Sequence, residues 1–238
     1  MPFSKMVSSS NRELLTSWYS MISYSQALEL QNQYRLKVRQ RPQNIYLMGL
    51  EHQFVITLGR RALVEKEISW SKEKLQLNGA EVVITDRGGL ATLHSPGQLV
   101  IYPIFSLENY RISVKSYVDL LLKVTQNFLL NLGIESFTQE DQPGLFTKNG
   151  KIVFIGLRIR DGICYHGLSI NIANDLSLFE SIQSCGVFRP RLDQVLNYEG
   201  FLLEKGFAIN QGEYLKIFFQ KWSDVFSGEF QKEIHRSY

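Results

Sequence analysis

The stretch that decides the fold runs from Lys151 to Ile172, KIVFIGLRIRDGICYHGLSINI. Within it Asp161-Gly162 reads as a two-residue hairpin turn, because such turns need positive φ at both positions. Asn149-Gly150, just upstream, carries the same signal. Lys151–Arg160 and Ile163–Ile172 are then two antiparallel strands. A tight loop at Asp161-Gly162 pairs Arg160 with Ile163, which sets Leu157 against His166, Gly156 against Gly167, Ile155 against Leu168 and Lys151 against Ile172. Period-two alternation collects Lys151, Val153, Ile155, Leu157, Ile159, Cys164, His166, Leu168 and Ile170 on one apolar face. On the other face Gly156 lies opposite Gly167, flanked by Phe154 and Ser169. Glycine weakens a strand interior and often marks a place where something approaches the backbone. The paired glycines therefore leave a slot, filled by a packed aromatic or by a ligand chain.

Outward from this hairpin, strands and helices are partly interleaved. Residues from about Ser25 to Gln40 are good helix formers, stopped by Pro42. Ile45–Leu50 and Phe54–Leu58 read as strands, Ser71–Leu77 as a short helix closed by Asn78 and Gly79, and Glu81–Thr85 as a strand. The segment from Arg87 to Gln98 reads as a glycine-punctuated loop. Gln98–Ile104 resumes a strand that Pro103 places near an edge or terminus. Ser113 caps the clearest helix, with Tyr117, Leu121, Val124 and Phe128 at helical spacing and Gly133 as its stop. Asp175–Ser181 is a short helix, and Glu213–Phe226 a last amphipathic one. The fold class is α+β, sandwich-like: one domain over 1–238 with a mixed, largely antiparallel central sheet flanked by helices. Residues 1–20 are expected to be flexible or peripheral, and 204–238 a C-terminal helical extension.

Composition narrows the function classes. The 238 residues are 44% hydrophobic, ample for a large core. Twenty-six Lys and Arg against 23 Asp and Glu give +3, too weak and too dispersed for a nucleic-acid binder. The densest basic stretch, Arg35, Lys37, Arg39 and Arg41, reads as a solvated helix face. A mildly positive surface assists docking of an acidic protein. Two cysteines form no disulfide framework, the serine-rich start has no signal-peptide core, and no apolar run approaches a membrane span. The expectation is a cytoplasmic protein, with no membrane and no nucleic acid among its partners.

The candidate chemistry is thin when each residue is taken alone. Cys185 sits between Ser184 and Gly186 in a loop; a free cysteine is more often a small buried apolar group than a nucleophile, and local sequence favours that reading. Cys164, mid-strand on the apolar face, is the thiol that burial should leave inert. Lys151 has the parity of the core-facing residues, and desolvation lowers a lysine's pKa toward that of a usable base. His94 and His166 suit a pocket wall, and no residues show zinc-ligand spacing. The Arg87–Gln98 segment lacks the ending of a P-loop and the spacing of a dinucleotide fingerprint.

In combination these residues resemble the octanoyltransferase family, also called lipoyl(octanoyl) transferase or lipoate–protein ligase B. The likeness rests on Tyr24-Ser25-Gln26-Ala27-Leu28, Glu51-His52, Thr57-Leu58-Gly59-Arg60, the Arg87–Gln98 segment, Gly150-Lys151-Ile152, Gly156-Leu157-Arg158-Ile159-Arg160, Tyr165-His166-Gly167-Leu168, Asn171, Asp175-Leu176-Ser177-Leu178-Phe179 and Cys185-Gly186. It spans about two thirds of the chain. Two departures are local: Ser184 stands where the family commonly has proline, and Ser95 where glycine is frequent.

The resemblance implies the catalytic fold of biotin and lipoate protein ligases and transfer of an octanoyl group from acyl carrier protein to a lysine of lipoyl domains. The acceptors would be 2-oxoacid dehydrogenase E2 subunits and the glycine cleavage H protein. It implies Cys185 as the nucleophile carrying the acyl thioester and Lys151 as the residue that lowers its pKa. Arg87, Gly88, Gly89, Leu90, Ala91, Thr92, Leu93 and His94 would line the acyl pocket, with Phe154, Ile155, Gly156, Gly167, Leu168 and Ser169. No ATP, metal or other cofactor is expected. The competing readings are an ATP-dependent lipoate or biotin ligase (the biotin-ligase Gly-Arg-Gly-Arg motif does not occur in the sequence), a relay enzyme between lipoyl proteins, and a non-catalytic carrier-protein-binding module.

Overall fold

The computed structural model describes residues 5–8, 12–183, 191–198 and 213–236. In chain order its elements are β1 (Lys5–Ser8), β2 (Arg12–Ile22), α1 (Tyr24–Gln40), β3 (Ile45–His52), β4 (Val55–Leu58), α2 (Val64–Glu67), α3 (Lys72–Leu77), β5 (Glu81–Ile84), β6 (Ala91–His94), β7 (Gln98–Ser106), α4 (Val114–Asn131), β8 (Phe137–Gln139), β9 (Gln142–Phe146), β10 (Lys151–Arg160), β11 (Ile163–Asn171) and α5 (Tyr214–Arg236). Short 3-10 turns occupy Leu176–Ser181 and Val195–Tyr198.

Two sheets result. The larger has the order β1-β2-β3-β7-β11-β10-β9-β8, and the smaller β5-β4-β6. In the large sheet β2 and β3 run parallel and are connected through α1; β3–β7, β7–β11 and β11–β10 are antiparallel. Helix α1 starts at a capping box in which Ser23 and Gln26 satisfy each other's backbone N–H groups. Its Ala27, Tyr34 and Val38 pack on Tyr46, Met48, Val100 and Tyr102 on one sheet face. On the opposite face α4 and α5 share the largest core, with Tyr117, Leu121, Phe128, Trp222 and Phe226 against Leu47, Ile101, Phe105, Cys164 and Ile170. The small sheet has its own apolar cluster, built from Ile56, Leu58 and Leu93 with Phe154 of β10 and Phe179. Phe154 thus joins the two sheets.

The mixed, largely antiparallel sheet flanked by helices is as the sequence reads, but several details differ. Arg12–Ile22 is an inner strand, not a peripheral tail; its apolar Leu14 and Trp18 pack on the core. Helix α5 is no appendage, since Trp222 and Phe226 are wholly buried and the Trp222 indole donates to Thr125 Oγ1 at 3.0 Å. A third of the glycine-punctuated segment, Ala91–His94, is strand β6, paired with β4. Asp161 (φ 54°) and Gly162 (φ 71°) form the expected turn. Asn149-Gly150 is not the loop pair: Thr147 and Gly150 exchange backbone hydrogen bonds, so the two bridging residues are Lys148 and Asn149, one position earlier.

Pro103 lies in a central strand, between β3 and β11, rather than at an edge. It is accommodated because β11 leaves the ladder there. Pairing is present at Cys164–Phe105 and resumes at Leu168–Ile101, so the missing proline N–H faces a gap. His166, at φ 55°, turns its own N–H away from the sheet to Gln31 Oε1 of α1, at 2.7 Å.

Candidate active site

The predicted facing pairs hold: Gly156 is opposite Gly167, Leu157 opposite His166 and Ile155 opposite Leu168. The slot they create is one wall of a cleft between the two sheets, enclosing about 500 Å³ with its mouth. Arg87, Gly89, Leu90, Ala91, Thr92 and His94 line it from the small-sheet side. Phe154, Ile155, Gly156, Gly167, Leu168 and Ser169 line it from β10 and β11. Two of the expected lining residues are elsewhere. Leu93 alternates away from Thr92 and His94 into the small-sheet core, and Gly88, whose N–H donates to the Leu157 carbonyl at 2.9 Å, faces a separate open groove with Arg60, Arg61 and Arg158.

The inner wall is polar yet uncharged. Tyr24, Tyr102, His94 and His166 reach the cleft, with His52 behind them, its Nε2 3.0 Å from the Tyr102 hydroxyl and its Nδ1 3.1 Å from the Ile22 carbonyl. His94 Nδ1 meets Gln98 Oε1 at 2.7 Å, and Gln98 donates to Asn171 at 2.9 Å. Burial pushes the pKa of His52 down to about 4. Burial, helped by the neighbouring His52, takes His94 down to about 3. His166 is lowered by burial as well, although its Nε2 lies 3.0 Å from Asp86 Oδ1. The cavity therefore ends in neutral imidazoles and phenols. On the small-sheet side the charged Arg87 also lines the cleft, but it is buried, with its guanidinium donating from Nε to Thr57 Oγ1 at 2.9 Å and from Nη2 to the Thr57 carbonyl at 2.6 Å. This is the physical content of the Thr57-Leu58-Gly59 motif.

Lys151 is 2% exposed, but not for the reason its strand parity gives. A bulge between Lys151 and Val153 shifts the register against β9, so Ile152 and Val153 both enter the large core. Lys151 falls instead on the Phe154 side, its Nζ 5.2 Å from the Phe146 ring centre and 5.0 Å from that of Phe154. Regular alternation would have sent it to the opposite face, away from the cleft. The expected pairing with Ile172 is replaced: β11 ends at Asn171, and Leu192 lies beside Lys151. Cys164 is the packing thiol, wholly buried, with its pKa pushed by burial up to about 12. Cys185 lies outside the described residues. Among the described residues, no group of three or more His, Cys, Asp or Glu is arranged to hold a metal ion.

The lipoyl protein ligase A/B catalytic domain family matches residues 23–198, most of the chain. An octanoyltransferase of Maridesulfovibrio salexigens is 34% identical over 178 residues, covering 75% of this chain and 80% of the relative. The chain belongs to the octanoyltransferase family. It is an acyltransferase that moves lipoyl or octanoyl groups. Two solved structures share its fold at 15% identity. One is protein Ta0514 of T. acidophilum with bound lipoic acid, with a TM-score of 0.67 over 89% of this chain and 85% of that one. The other is lipoate-protein ligase A bound with ATP, with a TM-score of 0.66 over 90% and 85%.

In this octanoyltransferase fold two cleft residues, Tyr24 and Tyr102, had no role in the sequence reading, while His166, expected in a pocket wall, does line the cleft. Tyr24 and His166 lie within the quoted motifs, but their direction depends on the start of α1 and on the positive φ of His166. Tyr102 carries no local signal, because it sits in an unbroken apolar strand. The buried neutral histidines also set acid stability. Their folded pKa values lie below the unfolded value near 6.5, so the unfolded chain binds more protons as pH falls. The stability they contribute is present above about pH 6.5 and is lost on the way down to pH 4, roughly 3 kcal/mol from His52 alone. Thermal melts are expected to show a Tm that falls steeply between pH 6.5 and 4, with a shallower fall in His52→Gln. A Tm level across that range would show that these rings are not buried neutral.

Proposed function

We propose that the enzyme takes an octanoyl or lipoyl group from acyl carrier protein and delivers it to a lysine of a lipoyl domain, through a thioester on Cys185. The observation that carries this reading is the position of Lys151. Its amine is buried next to Phe154 of the acyl cleft, and its backbone N–H donates at 2.8 Å to the carbonyl of Arg191, six residues after Cys185. A buried amine close to a cysteine is a proton acceptor for the thiol.

In the first half-reaction Lys151 takes the Cys185 proton, and the thiolate attacks the donor's thioester carbonyl. The new C–S bond replaces the bond to the phosphopantetheine sulfur, which leaves with the proton from Lys151. In the second, the acceptor lysine amine attacks the acyl-enzyme. A C–N bond replaces the C–S bond, the amine proton passes through Lys151, and the cysteine is regenerated. Exchange between thioesters is nearly balanced and amide formation is downhill, so the sequence of steps needs neither ATP nor a metal. The acyl chain would lie in the slot between Gly156 and Gly167, where burial at about 0.8 kcal/mol per CH₂ selects for length.

The test is mass spectrometry after incubation with octanoyl-acyl carrier protein. A hydroxylamine-sensitive octanoyl adduct on Cys185 is expected, followed by transfer to a lipoyl-domain lysine without ATP. An adduct that persists in Cys185→Ser, an adduct on Cys164, or a strict need for ATP would overturn the proposal.

A further inference from the structure

Asp193 takes no part in the chemistry just described, yet it is wholly buried, and a buried carboxylate is costly unless its oxygens are satisfied. Here they are. The carboxylate accepts hydrogen bonds from Thr147 Oγ1, from Asn149 Nδ2 at 3.4 Å, from Asn197 Nδ2 at 2.6 Å, from the Tyr198 hydroxyl at 2.7 Å and from the Gln194 N–H at 2.9 Å. Burial by itself would raise its pKa; the hydrogen bonds from Thr147, Tyr198, Asn197 and Gln194 outweigh it and hold the group below the usual carboxylate value.

The main chain around Asp193 is tied to Lys151. The Lys151 N–H donates to the Arg191 carbonyl at 2.8 Å, and the Asp193 N–H donates to the Lys151 carbonyl at 3.0 Å. Leu192 forms a parallel bridge with Lys151. The Asp193 carbonyl accepts from Asn171 Nδ2 at 3.1 Å, and the Leu196 N–H donates to the Ile172 carbonyl at 2.8 Å. Residues 191–196 therefore occupy the place beside Lys151 that simple hairpin register gives to Ile172. Five neutral donors from two separate stretches, 147–149 and 194–198, converge on one acceptor. That convergence fixes the inserted segment on both sides.

We infer that Asp193 is a positioning residue for acyl transfer: its carboxylate locks residues 191–196 against the backbone of Lys151, and so fixes where the Lys151 amine stands beside Phe154 of the cleft. The inference rests on the proposed roles of Lys151 and Cys185. It predicts a kinetic defect with a specific signature, because misplacing a catalytic group by about 1 Å costs on the order of 10²-fold.

Two rates are measured in the full-length protein: single-turnover formation of the acyl-enzyme from octanoyl-acyl carrier protein, and alkylation of Cys185 by iodoacetamide. Asp193→Ala is expected to slow both by about 10- to 100-fold, with donor KM changed less than about threefold. Asp193→Asn keeps one acceptor oxygen and should fall between; it carries the test if the alanine variant does not fold. In a Lys151→Met background the Asp193 change should add less than about threefold, because the residue acts through Lys151. Wild-type rates in a variant whose Tm has dropped would reduce Asp193 to a purely structural group. Fully multiplicative effects in the two backgrounds would overturn the inference as well. If the wild type forms no adduct on Cys185, the proposed function fails, and the alkylation rates still decide whether Asp193 controls that thiol.

Discussion

Lys151→Met is expected to give a folded enzyme whose kcat/KM for octanoyl transfer is about 10²- to 10⁴-fold below wild type, the range for loss of a positioned general base. Methionine preserves the stem that packs between the rings of Phe146 and Phe154 and removes only the amine. The local fold should tolerate it, because Lys151 is held in the sheet by backbone bonds to Arg191 and Asp193. Lys151→Arg should be similarly slow: guanidinium stays protonated and takes no proton from a thiol. Steady-state kinetics with octanoyl-acyl carrier protein, read beside thermal melts, checks both variants. If Lys151→Met keeps more than a tenth of wild-type kcat/KM, the amine is a packed cation and the base lies elsewhere.

The sequence made the hairpin legible because its signals are local. Asp161-Gly162 sets the turn, and the pairing of Gly156 with Gly167 follows by counting. The arc of small-sheet residues from Arg87 to His94 was legible only through family motifs, since nothing local distinguishes a loop that closes a cleft from one that faces solvent. What counting missed are the points where the backbone leaves its period. The bulge at Lys151 reverses that side chain's face, and the positive φ of His166 swings its ring from the core wall to the cleft, where it lies 6.1 Å from the Tyr102 ring. Sequence parity thus placed Lys151 among core residues for a reason the structure does not share, and a site near Phe154 emerges from the irregularity. Asp193 was invisible for a different reason: its partners are 44 and 46 residues upstream at Asn149 and Thr147, and only the fold assembles them.

The two facing glycines should respond to substitution in opposite ways. A methyl group on Gly167 would sit 2.1 Å from the Ile101 carbonyl oxygen and 2.9 Å from Pro103 Cδ. Both belong to β7, which is flanked by β3 and β11 and cannot retreat without breaking the centre of the sheet. Gly167→Ala is therefore expected to cost at least about 3 kcal/mol, the upper end for overpacking, because backbone rather than a mobile side chain must move. For a chain of this size that lowers Tm by roughly 10 °C, and poor soluble yield should accompany it. A methyl on Gly156 instead meets the Arg87 Cδ at 3.3 Å, an aliphatic part of a long side chain that can shift by tenths of an ångström. Gly156→Ala should melt within a few degrees of wild type while narrowing the slot and reducing octanoyl transfer more than transfer of a shorter acyl group. Parallel melts of the two variants decide the matter. A Gly167→Ala protein melting within about 2 °C of wild type would mean that β7 yields, and that the gap opposite Pro103 is slack rather than filled. If it melts as expected, the slot has one rigid wall and one adjustable wall, and acyl-chain selectivity is set on the Arg87 side.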